Sequence, residues 1–94
     1  MTRRLLAPAA WRDVERLARR LLESDPPAAA ATAGLLVSGL SILRDHPLAG
    51  RRVEHGMREL MISRGRTGYV ALYRYDAASD TALVLTLRHQ RELA

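Results

Sequence analysis

The chain has 94 residues, enough for one domain with a single two-layer core, and no linker to a second domain is expected. Every one of its 15 basic residues is arginine, against 10 acidic residues and a net charge of +5, so the excess implies an acidic partner, whether or not that partner is a nucleic acid. The absence of cysteine excludes a disulfide framework and thiolate chemistry, which leaves packing to hold the core and makes a cytoplasmic location the expectation.

The chain opens with Arg3 to Leu6, a short β-compatible run expected to form an edge strand. The start is basic, but Pro8 and a charged segment follow at once, and no apolar run is read as approaching membrane-spanning length, so neither export nor a membrane is expected. From Ala10 the apolar positions Ala10, Val14, Leu17, Ala18, Leu21 and Leu22 recur at intervals of three and four. Arg12, Asp13, Glu15, Arg16, Arg19, Arg20 and Glu23 fill the other side, which reads as a solvated face of an amphipathic helix. Asp25 is placed to cap a second helix with Pro26 in its first turn, giving a tight helical hairpin.

The second helix, about Pro26 to Arg44, carries one apolar stripe of Ala29, Ala33, Leu36, Leu40 and Leu43, and another of Ala28, Leu35 and Ile42. Two stripes predict burial on two sides. Gly34 and Gly39 each weaken the helix by roughly 1 kcal/mol relative to alanine, which predicts close approach of another element at both. Asp45-His46-Pro47 stops it, and Leu48 to Gly56 reads as a surface loop.

Three strand candidates follow: Met57 to Ile62, the central run that ends Gly68-Tyr69-Val70-Ala71-Leu72-Tyr73-Arg74-Tyr75, and Thr81 to Arg88. Short connections rich in turn residues, Ser63 to Thr67 and Asp76 to Asp80, make them an antiparallel meander. Alternation puts Tyr69, Ala71, Tyr73 and Tyr75 on one face. With one tryptophan and no phenylalanine in the chain, at least two of these tyrosines are needed in the core rather than as a stacking platform. Arg64-Gly65-Arg66-Thr67-Gly68 lacks the lysine and following helix of a phosphate loop and reads as a hairpin turn. The expected fold is α+β, a strand, a helical hairpin and a three-stranded meander, with Leu17, Leu21, Leu36, Leu40, Leu72 and Val84 buried where helices cover one face of the sheet.

The order strand, helix, helix, strand, strand, strand, together with His46-Pro47, Gly50-Arg51, Met57-Arg58-Glu59-Leu60, Gly68-Tyr69-Val70, Tyr73-Arg74 and the closing Arg88-His89 with Arg91-Glu92, resembles the RelE/ParE superfamily of bacterial type II toxins over nearly the whole chain. The resemblance implies a toxin neutralised by a cognate antitoxin. The target it implies is DNA gyrase for the ParE branch, or mRNA on the ribosome for the RelE branch. The RelE branch places an arginine directly after the Gly-Tyr of the central strand, where this chain has Val70. Basic residues expected on the preceding strand fall near Met61 and Ser63, and the chain has Arg91 but no tyrosine after it.

The gyrase-binding reading is therefore preferred, without RNA cleavage. Arg64, Arg66, Arg88, His89 and Arg91 are its candidate target-binding residues. An altered endoribonuclease would use Arg74, Arg88, His89 and Arg91, if strand ends bring them together around one imidazole. The plainer reading of His89 is a strand-end residue bonded to backbone, and His46 and His55 stand isolated in loop sequence. An acidic, amphipathic antitoxin segment is expected on the hairpin and sheet, at Leu35, Ile42, Arg58 and Arg74. No histidine or carboxylate pair has metal-ligand spacing, so neither a metal nor another cofactor is expected. Charge alone would also fit a simple nucleic-acid-binding module.

Overall fold

The computed structural model describes residues 1–64 and 67–90. The elements run β1 (Arg3–Leu6), α1 (Pro8–Ser24), α2 (Pro26–Asp45), β2 (Arg51–Arg52), β3 (Arg58–Arg64), β4 (Thr67–Asp76) and β5 (Thr81–His89). They form one sheet in the order β1-β5-β4-β3-β2. β3, β4 and β5 are the antiparallel meander, and β1 returns the N-terminus to the edge of β5, parallel to it, with Leu6 opposite Val84. The α+β expectation holds.

Asp25 caps α2 as the sequence demands: its carboxylate accepts from the Ala28 N–H at 3.2 Å, satisfying one of the orphan donors of the first turn. The core lies between the helices and one sheet face, joining Ala10, Leu17, Leu36, Leu40 and Leu43 to Leu60, Ile62, Tyr69, Ala71, Tyr73, Ala82, Val84 and Leu87. Leu21 and Leu72 are half-buried rather than core.

Four expectations need correction. Only the first stripe of α2 is buried, at Ala29, Leu36, Leu40 and Leu43, where α1 and the sheet cover it; in the second stripe Leu35 is half-buried and Ile42 is 46% exposed. Gly39 does mark a close approach, since a Cβ there would sit 2.6 Å from Ile62 Cγ2, but nothing lies within 4 Å of one built at Gly34. The 48–56 connection is not simply a loop. It contributes β2, pairing Arg51 with Glu59 and Arg52 with Arg58. Finally, α2 is by length and composition apolar enough to cross a membrane, with its Leu36, Leu40 and Leu43 stripe buried against the rest of the fold.

The sheet carries an irregularity that sets which way its last residues face. Leu72 pairs with Thr86 but Tyr73 pairs with Val84, leaving Leu85 as an extra residue in β5. Buried positions on β5 accordingly run Ala82, Val84, Leu87, a step of two and then of three. A bulge of this kind shifts side-chain phase by one.

Candidate functional site

Two regions gather the residues singled out by sequence. The first is the end of the sheet where β4 begins and β5 finishes. β1 stops opposite Val84, and the chain turns away into α1 after the Ala7 N–H donates to Val84 O at 2.8 Å. Beyond that point no strand among the described residues lies beside the outer edge of β5, so its backbone donors need another acceptor. Asp13 of α1 supplies one. Its Oδ2 accepts from the Leu87 N–H at 2.9 Å, while Oδ1 accepts from Arg88 Nη1 at 2.9 Å and Arg16 Nη1 at 2.7 Å. The residue is buried, on the side of α1 expected to be solvated. Burial is the largest single influence on its carboxyl and pushes the pKa up. The Leu87 N–H and the charges of Arg16 and Arg88 outweigh it and hold the group below the ordinary carboxylate value.

Asp13 is the residue that sequence reasoning missed, and the signal was present. It stands three after Ala10 and four before Leu17, both buried, so it belongs to the apolar stripe by spacing. An acidic residue on a buried stripe needs a partner in the fold.

At the same end, His89 pairs with Tyr69 across the ladder and its ring stands edge-on to the tyrosine ring, centroids 5.1 Å apart and planes at 90°. Val70 is buried on the face opposite Tyr69, paired with Met61 on one side and Arg88 on the other. Arg64 closes β3; Arg66 and Arg91, like Gly65, lie outside the described residues. Arg12, Arg16, Arg19 and Arg88, with the acids Asp13 and Glu15, line a cleft of about 500 Å³ between α1 and the end of β5. Arg74 does not join this group. It pairs with Leu83, so it sits about 17 Å along β4 from Tyr69, because the antiparallel register sends the two ends of that strand to opposite edges of the molecule.

The second region is the junction of the 47–50 segment with β3 and β4. Tyr73 is fully buried, yet its hydroxyl is satisfied twice: it donates to Pro47 O at 2.7 Å and accepts from the Gly50 N–H at 2.8 Å. A Cβ on Gly50 would lie 2.6 Å from Tyr73 Cε1 and 2.9 Å from the Glu59 carbonyl, so only glycine lets the backbone come this close. The His-Pro and Gly-Arg pairs noted in the sequence are thus the two sides of a strap that the tyrosine fastens. Arg58 reinforces it by donating to Gly50 O at 2.9 Å and to Leu48 O at 3.3 Å. Arg74 donates to His55 O at 3.2 Å and remains exposed. Of the candidate antitoxin contacts, Leu35 packs against the core and Ile42 is open to solvent, while Arg58 and Arg74 brace loop backbone. No group of three or more histidine, cysteine, aspartate or glutamate side chains that could hold a metal ion occurs among the described residues.

The likeness to known proteins is consistent along the chain. Residues 5–94 match the family described as the ParE toxin of the type II toxin-antitoxin system parDE. Among characterised relatives, Toxin RelE3 of Caulobacter vibrioides is 39% identical over 93% of this chain and 92% of its own length. Toxin RelE1 of the same organism is 41% identical over 74% of this chain and 75% of its own. Among solved structures, the chromosomal ParDE system from P. aeruginosa superposes with a TM-score of 0.79 at 19% identity, covering 95% of this chain and 96% of that one. The RelBE2 toxin-antitoxin complex from Mycobacterium tuberculosis gives a TM-score of 0.63 at 24% identity over 95% and 98%. A strand, helical hairpin and meander in this order, matched from Leu5 to the last residue, place the chain in the RelE/ParE superfamily, in the family of ParE toxins of type II toxin-antitoxin systems.

Proposed function

We propose that the protein is a toxin that inhibits DNA gyrase by binding it, works in the cytoplasm, and is held inactive by a cognate antitoxin. The observation that carries the reading is the state of the sheet end. Val70 is buried where the RelE branch has an arginine, and the adjacent Arg88 is already engaged by Asp13, which it shares with Arg16. RNA cleavage without a metal asks for a base, an acid and fixed cations around one phosphate. Losing one preorganised donor costs about 10²–10³ in rate, so a site lacking several retains little catalysis. A binding toxin needs only a surface, and the family match supports the ParE branch.

A second reading, ribosome-dependent mRNA cleavage, is favoured by one observation: the two Caulobacter vibrioides relatives above are both named RelE toxins. Gyrase supercoiling and mRNA cleavage on programmed ribosomes, measured with the same purified toxin, separate the two. Supercoiling inhibition without cleavage is expected. Site-specific mRNA cleavage that disappears in His89→Ala would move the assignment to the RNase branch.

For the antitoxin, the solvent side of α2 supports a docking surface. Val37 and Ile42 stand exposed at its two margins, about 140° apart around the helix axis, on a chain of net charge +5. An acidic amphipathic helix or strand would bury them, its charge raising the association rate while apolar contact sets the lifetime.

A further inference from the structure

The N-terminal corner of the sheet holds a feature that neither reading uses. β1 is an edge strand, and between it and the last turn of α2 lies a cleft of about 350 Å³ lined by Met1, Thr2, Arg3, Arg4, Leu5 and Arg44, with no acidic residue in the lining. The two walls are tied together at backbone level, where the Thr2 N–H donates to Arg44 O at 3.0 Å. The nearby Asp80 carboxylate is taken up from the other side: its Oδ1 accepts from Thr2 Oγ1 at 2.7 Å and from Tyr75 Oη at 2.8 Å.

Two donors of Arg4 point to a missing acceptor. Its Nε and Nη1 are buried and have no hydrogen-bond partner among the described residues. A charged donor without an acceptor costs more than an ordinary orphaned group, so a bound oxyanion would recover that penalty. The backbone contributes as well. The N–H groups of Arg3 and Ala7 donate to Asp80 O and Val84 O on the β5 side. Strand alternation therefore turns the Arg4 N–H to the open edge that the cleft flanks.

We propose that this cleft binds a phosphate-type oxyanion, held by the guanidinium groups of Arg4 and Arg44 and by the Arg4 N–H at the open edge. Two cations with no acid in the lining call for a ligand bearing more than one negative charge and several acceptor oxygens. A phosphate meets that requirement and a single carboxylate does not. The site is separate from the sheet end discussed above: Arg3 is paired with Thr81, about 26 Å along β5 from His89. It is also independent of which target the toxin attacks.

The phosphate has two sources, a nucleic-acid backbone or a free phosphate compound, and two probes distinguish them. Titration of the purified full chain with pyrophosphate and with a short DNA duplex, followed by calorimetry and amide NMR, is expected to give saturable binding that shifts the signals of Thr2 to Leu5 and Arg44. Arg4→Met and Arg44→Met should each weaken it by about tenfold. Arg44 is exposed on the last turn of α2, so its variant keeps the test alive if Arg4→Met fails to fold. Binding of both probes through these residues identifies nucleic acid as the source, and binding of pyrophosphate alone identifies a free phosphate compound. Absence of saturable binding to either, or an equal loss in Arg12→Gln on the outer face of α1, would overturn the proposal.

Discussion

Asp13 offers the sharpest test of the reasoning, because one carboxylate joins a helix to a sheet edge. In Asp13→Ala the Leu87 N–H loses its acceptor in a buried setting, at about 1–3 kcal/mol. The pairs with Arg88 and Arg16 add less, since those side chains are 40% and 33% exposed and such pairs contribute about 0–1 kcal/mol each after screening. The expected loss is therefore about 1–5 kcal/mol, out of a total that for a domain of this kind is about 5–15. In thermal unfolding that corresponds to about 4–40 °C. Asp13→Asn keeps an oxygen for Leu87 and gives up the charge and the second acceptor, which faces the partly exposed Arg16 and Arg88, so it should fall short of the alanine loss.

The same residue gives a pH dependence with a definite sign. A carboxyl whose folded pKa lies below its unfolded value stabilises the fold at higher pH, with the contribution fully present above about pH 4 and lost as pH falls through the folded value. Asp13→Asn should remove that part of the acid limb. Urea midpoints for wild type, alanine and asparagine variants between neutral and acid pH measure both effects. An alanine variant within about 0.5 kcal/mol of wild type, the range of an ordinary surface change, would refute the account of the sheet edge.

Three further outcomes follow from particular contacts. Tyr73→Phe leaves the buried Gly50 N–H and Pro47 carbonyl without their shared partner, so it should cost about 1–3 kcal/mol and speed hydrogen exchange at Gly50. The double variant Val37→Asp, Ile42→Asp changes exposed positions, so the toxin should unfold at an unchanged midpoint while its antitoxin complex dissociates faster; an unchanged dissociation rate would place the antitoxin elsewhere. Hydrogen bonds from Thr2 and then Tyr75 hold the Asp80 carboxyl below its ordinary value, so Thr2→Val should raise that pKa in an NMR titration.

Much of this protein was legible before any tertiary information. Helical spacing, the Asp25 cap and the two turn-rich connections determined the hairpin and the meander, because these signals are local: a side chain bonding a backbone group three residues away, or an apolar period that one covered face requires. The burial of Tyr69 and Tyr73 followed in the same way, from alternation and from the shortage of other aromatic residues.

What the tertiary structure decided was phase, pairing and partner. Alternation counted from Val84 would turn Thr86 and Arg88 inward; the extra Leu85 resets the count, so Leu87 enters the core and Arg88 faces out to meet Asp13. The burial of Asp13 depends on where β1 stops, which frees a Leu87 N–H 74 residues away in sequence. Arg74 and Arg88 look like neighbours of one site when read as strand-end arginines, and the antiparallel register carries them apart. Each of these outcomes is set by groups that meet only after the sheet has closed over the helices, and a local period contains no record of such a meeting.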